Sequence, residues 1–310
     1  MSTLRVGGVP GPAGYDSPAI VTLTPPSPTH AGEADAAPIP SGAPATGVTT
    51  PSRLRLVLPR RGAVERDHAE TVFRALAEGR WAGAPRRVKV YGLNATWLGD
   101  LEVGGRTLGV TLKQTVPAPG VFAALRALSP RRRSVRQWRG ARRLRALRIP
   151  VGSPILLARG VVQGRPCDWL LLERVPGVDL LSHLALDDLS VQEQHDAAKK
   201  AGAIVNRIDS YGWFNRDTKL SNLIRTPDGE ITLIDTVDIQ RRPGRRVRML
   251  RAMLYEAIGH GVLPRRPLLM RCLRAAVEEP RDAWRALERE ALRIKDPVPR
   301  GQMTPRSVRA

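Results

Sequence analysis

Near position 215 the chain reads Asn215-Arg216-Asp217-Thr218-Lys219-Leu220-Ser221-Asn222, followed by Leu223-Ile224. After a short turn, Ile231-Thr232-Leu233-Ile234 reads as a strand that ends on Asp235. An acid, an asparagine five positions on and a second acid at a strand end can together orient a hydroxyl and hold a magnesium-bound nucleotide. Asp217 stands where its carboxylate can accept the proton of an acceptor hydroxyl. Lys219 lies on the same face of an extended loop and can neutralise a transferring phosphate. Asn222 and Asp235 offer the hard oxygen ligands that magnesium prefers. An isolated Arg-Asp pair is usually an exposed loop acid, so it is the whole string that argues for chemistry. Phosphoryl transfer needs only this much: positioned groups, metal on the phosphates and an acceptor in line.

Regular elements must carry this set. The stretch from Val191 to Tyr211 places Ala197, Ala201, Ile204, Val205 and Ile208 on one stripe, which predicts a buried helix leading into the loop. Asn222 to Asp235 reads as a hairpin around Pro227-Asp228-Gly229. Upstream, strand patterns cover Val88 to Tyr91, Trp97 to Val103 and Leu108 to Lys113, with a hairpin turn at Gly104-Gly105. Further strands are predicted over Ile155 to Val162 and Asp168 to Glu173, joined at Gly164. A basic helix spans about Ser134 to Leu147 and is stopped by Ile149-Pro150. Pro176-Gly177 breaks the strand pattern, and helices follow at about 247–258, 266–278 and 281–294. Leu54 to Leu58 reads as a strand, and Ala69 to Gly79 as a short helix.

The chain thus divides into a Pro/Gly/Ala-rich tail over 1–50, predicted to be disordered, an N-terminal extension over 51–86, a strand-rich part over 87–175, a helical part over 176–296 and a basic tail over 297–310. The expected fold class is α+β. Hydrophobic residues form 42% of the 310, enough for a sizeable core. The net charge of +21, from 50 Lys+Arg against 29 Asp+Glu, favours anionic partners: nucleic acid, an acidic membrane surface or a phosphorylated substrate. Cys167 and Cys272 have no metal-ligand spacing, which predicts a reducing, cytoplasmic setting. The histidines are scattered without ligand spacing. No run approaches about 18 apolar residues, so no membrane-spanning helix is expected, and the first thirty residues lack a secretory apolar region.

The string from Asn215 to Asn222 resembles the H-R-D-L-K-x-x-N loop of the protein-kinase-like superfamily, and in particular its bacterial lipopolysaccharide kinase (Kdo/WaaP) branch. Leu233-Ile234-Asp235-Thr236-Val237-Asp238 is similar to that branch's I-D-F-D segment. Arg136-Gln137-Trp138-Arg139, running on to Ile149-Pro150-Val151, resembles its R-E-W-R helix and the turn after it, and Leu170 to Gly177 resembles the strand and hinge that meet adenine. The likeness spans roughly 87–260. It implies a two-lobed protein-kinase-like fold, a strand-rich N-lobe and a helical C-lobe, that uses ATP and magnesium to phosphorylate a hydroxyl of an anionic sugar or glycolipid, with peripheral association at an acidic inner-membrane surface. Carried over, Lys113 is the lysine that holds the α- and β-phosphates, Gly92 belongs to the turn covering the phosphates, and the backbone near Glu173 meets the adenine. A solvated strand-end lysine, an ordinary hairpin glycine and a plain interlobe acid are the alternatives for these three.

The departures bear on rate. The glutamate that pairs with the strand lysine in the family is absent, and Gln137 stands in its place, where a neutral amide gives up the charge-assisted part of the pair. Asn215 replaces the loop histidine and serves the backbone more than the chemistry, and Thr236 stands where the family has Phe. A binding module without transfer activity is therefore the competing reading. Arg131, Arg132, Arg133, Arg136, Arg139, Arg142, Arg143, Arg145 and Arg148 crowd the basic helix and its approach. They form either a patch for phosphate-rich lipid or an ordinary solvated face, with no stacking platform that would favour nucleic acid.

Overall fold

Alternation along the strands decides how the sheet is covered. The computed structural model describes residues 48, 51–59, 63–117, 132–262 and 264–291. The predicted tails over 1–50 and 297–310, residue 48 excepted, lie outside the described residues, as do Arg131 and the end of the last predicted helix.

Six strands, β1 (Ser52–Leu58), β2 (Arg86–Tyr91), β3 (Asn94–Val103), β4 (Arg106–Thr115), β5 (Pro154–Val162) and β6 (Arg165–Glu173), form one sheet in the order β1-β5-β6-β4-β3-β2. All of their pairings are antiparallel. Residues two apart share a face. Val110 and Leu112 of β4, Leu156 and Ala158 of β5, and Cys167, Trp169 and Leu171 of β6 bury one face beneath helix α1 (Ala63–Ala77), which contributes Ala69, Val72, Ala75 and Leu76. Leu157, Leu170 and Leu172 bury the opposite face beneath Val135 and Trp138 of helix α2 (Arg133–Ala146). Each Val or Leu side chain buried in this way contributes about 1.5–3 kcal/mol. The segment 51–86, read from sequence as an extension, is part of this layer: β1 supplies an edge strand, and α1 covers a whole face.

A second core is helical. It is built from α3 (Leu180–Leu186), α4 (Val191–Ser210), α5 (Arg246–Gly259), α6 (Arg266–Ala276) and α7 (Pro280–Ala291). Ser190 caps α4 in a capping box with Glu193, satisfying two otherwise orphan donors. The stripe predicted for this helix is the buried one: Ala197, Ala201, Ile204, Val205 and Ile208 all lie in the core. Short strands β7 (Val178–Asp179), β8 (Trp213–Asn215), β9 (Leu223–Arg225), β10 (Ile231–Leu233) and β11 (Ile239–Arg241) form two small ribbons on this part. The fold class is mixed α+β. The sequence pattern does not reveal helix α3 or strands β7, β8 and β11, which are too short to show a period.

Among the described residues no helix is long and apolar enough to cross a membrane. Both thiols are free and buried; burial pushes Cys167 up to about 11 and Cys272 to about 12, which leaves both as inert core groups.

Candidate functional site

The register of one hairpin builds the centre of the site. β9 and β10 pair Leu223 with Leu233, and Ile234 N continues the ladder by donating to Asn222 O at 3.0 Å. Asn222 and Asp235 are thereby brought together from positions thirteen apart in sequence. A single 3-10 turn, Leu220–Asn222, joins β9 to the loop that carries Asp217 and Lys219. Asn222 Nδ2 donates to Asp217 O at 2.9 Å and lies 3.4 Å from Asp217 Oδ2, which leaves the amide oxygen outside both bonds. Lys219 Nζ sits 2.8 Å from Asp217 Oδ1.

Asn215, fully buried at the end of β8, ties the two acids together. Its Nδ2 donates to Asp235 O at 3.1 Å, and its Oδ1 accepts from Asp217 N at 3.2 Å. One side chain thus fixes the loop acid relative to the strand-end acid, which is the backbone-supporting part expected of it. Glu256 of α5 braces the loop from below by accepting from both the backbone N–H and the hydroxyl of Ser221. Nothing in the sequence marks Glu256 apart from other helix acids.

The sheet supplies the third component. Lys113 of β4 pairs with Thr96 on one side and Leu170 on the other, so it points to the α2 face. Its Nζ lies 3.8 Å from Asp235 Oδ2. Burial lowers the Lys113 pKa, Asp235 partly restores it, and Arg133 and Lys89 lower it further. Lys219 goes the other way. Burial alone would lower it, but the hydrogen bond and charge of Asp217, with Glu256 and Asp235, hold it above its ordinary value. Lys219 therefore keeps its proton firmly, while Lys113 has charge still to be satisfied by an anion.

Helix α2 lies against the Asp235 loop with backbone-to-backbone closeness. Thr236 Oγ1 donates to Gln137 O at 2.9 Å, and a Cβ on Gly140 would come within 2.2 Å of Thr236 O. The side chain of Gln137 does not hydrogen-bond Lys113. Its Nε2 donates to Ile234 O at 3.3 Å, so it positions the chain on which Asp235 sits. The cation that comes to Asp235 from the helix is Arg133, whose Nη2 lies 3.9 Å from Oδ2. Where a carboxylate was the family expectation, the helix brings positive charge. No pattern in the sequence indicates this, because it depends on the rotation of α2 about its own axis. Gln137 is 3% exposed, so Gln137→Glu would press a carboxylate against a carbonyl oxygen. The expected outcome is a loss of about 1–3 kcal/mol, seen as a lower melting temperature, with no gain in turnover.

Gly92 and Glu173 occupy the margins. Gly92 (φ +56°) is the first of two residues turning β2 into β3, a conformation in which glycine is favoured, and a Cβ there would meet nothing. The tip lies beyond the Thr96–Lys113 pair, hence at the Lys113 end of the sheet. It is fastened there by Gln114 Nε2 to Leu93 O at 2.7 Å and Val116 N to Asn94 Oδ1 at 2.7 Å. Glu173 ends β6 with its side chain exposed, and its N–H donates to Ser153 O at 2.8 Å where the sheet gives way to the helical part.

Many arginines of α2 and its approach are committed within the molecule. Arg132 and Arg159 (3.1 Å) both hold Asp168, which is 2% exposed. Arg136 lies 3.4 Å from Asp238, which Arg216 also contacts at 2.6 Å. Arg142 meets Glu65 at 3.2 Å, and Arg143 stacks 4.2 Å from the Trp213 ring centroid. The cluster read from sequence as either a lipid patch or a solvated face has several of its arginines tied to acids or a ring within the molecule.

Among the described residues no group of three or more His, Cys, Asp or Glu side chains forms a metal site. The candidate donors here are the Asp235 carboxylate and the Asn222 amide oxygen, beside Asp217 and set among Lys113, Lys219 and Arg133. That combination suits a cation held jointly with phosphate oxygens rather than one caged by protein alone. No protein-family description matches this chain, and comparison with curated proteins finds no relative.

Proposed function

We propose that this protein is a magnesium- and ATP-dependent phosphotransferase of protein-kinase-like build, in which the sheet-centred and helical parts act as the two lobes and the chain from Glu173 to Gly177 as their hinge. The observation that carries this reading is the convergence of Asp217, Lys219, Asn222, Asp235 and Lys113, drawn from a loop, a hairpin and a separate sheet. Asp217 accepts the acceptor hydroxyl's proton as its oxygen bonds to phosphorus and the bond to the departing nucleoside diphosphate breaks. Lys219 steadies the transferring phosphate, and Lys113 the phosphates behind it. Asn222 and Asp235 would hold magnesium, which when bound neutralises phosphate charge. Asn215 and Glu256 keep the loop in place so that little reorganisation is needed. The acceptor we favour is a hydroxyl on an anionic sugar or glycolipid at the inner face of a membrane, in keeping with the net charge of +21.

Gln137 supports a second reading. With its amide turned to Ile234 and no acid in α2, the helix offers Lys113 no carboxylate partner, and the same constellation can bind nucleotide without transferring it. Titration with ATP, with and without magnesium, separates the outcomes when combined with turnover against lipopolysaccharide precursors and protein acceptors. Magnesium-dependent ATP binding is expected, weakened at least about tenfold (about 1.4 kcal/mol) in Asp235→Ala. Binding without turnover selects the second reading, and absence of magnesium-dependent binding removes both.

A further inference from the structure

A cleft of about 610 Å³ opens beside the edge strand β1, lined by Arg55, Leu56, Val57 and Pro59, by Arg66, Glu70, Phe73 and Arg74 of α1, and by Arg159 of β5. It shares no residue with the candidate nucleotide site. Its charge is one-sided. Among the described residues Glu70 is the single acid in the lining and is already held by Arg66 at 2.8 Å, while Arg159 is held by Asp168 at 3.1 Å. Arg55 and Arg74 have no acidic partner among the described residues.

The strand register adds a like-charge pair at this edge of the sheet. Arg55 and Arg159 are directly opposed across the β1–β5 pair, an arrangement of like charges that works against the pairing unless an anion lies between or beside them. Asp168 serves Arg159 but is also shared with Arg132, so Arg55 is left uncompensated. The remaining lining is apolar: Leu56, Val57, Pro59 and the Phe73 ring. A volume within the usual range of roughly 300–1,000 Å³ for small-molecule sites, apolar lining residues and arginines suited to forked contact with phosphate together suit a phosphorylated molecule with an apolar part.

We propose that this cleft binds a small phosphorylated molecule with an apolar or aromatic body, its phosphate held by Arg55 and Arg74 and its body resting on Phe73 and Leu56. The site is independent of the phosphotransferase reading and stands whether or not that reading holds. 1-Naphthyl phosphate is a suitable probe, since its fluorescence reports binding to the full chain directly. Saturable binding is expected, weakened about tenfold or more in Arg55→Ala/Arg74→Ala and falling with added salt. Arg55→Lys/Arg74→Lys should recover part of it, and Asp235→Ala should leave it unchanged. Should the double alanine variant fail to fold, Arg74→Glu alone, on an exposed helix position, provides the same reading by charge reversal. Equal binding of 1-naphthol would overturn the proposal, as would binding insensitive to both arginine variants, binding lost in Asp235→Ala, or no saturation at millimolar probe.

Discussion

Asp217→Ala is expected to lower phosphoryl-transfer turnover by about 10²–10⁴-fold, the usual contribution of a positioned proton acceptor, while the ATP dissociation constant stays within about threefold (about 0.65 kcal/mol). The separation of the two effects rests on how the loop is held. Asn222 keeps its bond to the residue-217 carbonyl, Ser221 keeps Glu256, and the residue-217 N–H keeps Asn215 Oδ1, so the substitution removes the carboxylate without releasing the loop. Lys219 loses the partner at 2.8 Å that holds its pKa up, while Glu256 and Asp235 still act against the lowering by burial. Asp217→Asn should lose turnover comparably, since an amide accepts no proton. Both variants are checked by initial-rate kinetics together with equilibrium nucleotide binding. Turnover retained within threefold in either would remove Asp217 from the chemistry.

Gly140→Ala carries the second large effect, in a direction opposite to the ordinary rule. Within a helix this change normally stabilises by about 0.5–1 kcal/mol, because glycine loses more backbone entropy on folding. Here the new methyl would meet a backbone oxygen at 2.2 Å and the Thr236 Cβ at 3.1 Å, and neither is the free end of a flexible chain. Either α2 or the Asp235 loop must move. Overpacking of this kind costs about 1–3 kcal/mol, equivalent in a domain of this size to about 2–4 °C of melting temperature per kcal/mol. Because the displaced residue adjoins Asp235, magnesium-dependent ATP binding should weaken with it. Gly259→Ala is the control: it stands at the end of α5, where an added methyl would find nothing within 4 Å, and should be neutral or mildly stabilising. Equal stability of the two variants would show that the helix does not press on the loop.

Much of the site is legible in the sequence because its parts are local. Asp217, Lys219 and Asn222 lie on one short string, and Asp235 follows from a hairpin whose turn, Pro227-Asp228-Gly229, announces itself. Lys113 is legible only through the family resemblance, as the lysine at the end of a predicted strand. What cannot be read is whatever depends on the azimuth of α2. Its arginines every few residues look alike along the chain, yet Arg133 meets an acid of the site, Arg136 an acid beyond it, Arg142 an acid of α1 and Arg143 an indole ring. Gln137 stands at the expected place in the chain, but the direction of its amide is set by the close approach at Gly140, which no periodicity encodes. The sheet shows the same limit. Leu54 to Leu58 is legible as a strand, whereas its pairing with β5 is a matter of distant partners.

That distant pairing has a consequence for the order in which the molecule can be made. Ser52 of β1 bonds to Val161 of β5 across 109 residues of sequence. At a synthesis rate of roughly 5–20 residues per second, the first strand and α1 wait about 5–20 s for the strand that will hold them. During that interval Trp97, Leu101, Val110 and Leu112 emerge as a hairpin layer whose apolar face lacks Leu156, Ala158 and Trp169. The nascent chain therefore passes through a stage with one open sheet edge and a half-built core. Closure comes late, when β6 fills the open edge of β4 and β5, paired with β6, takes up β1 as the outermost strand.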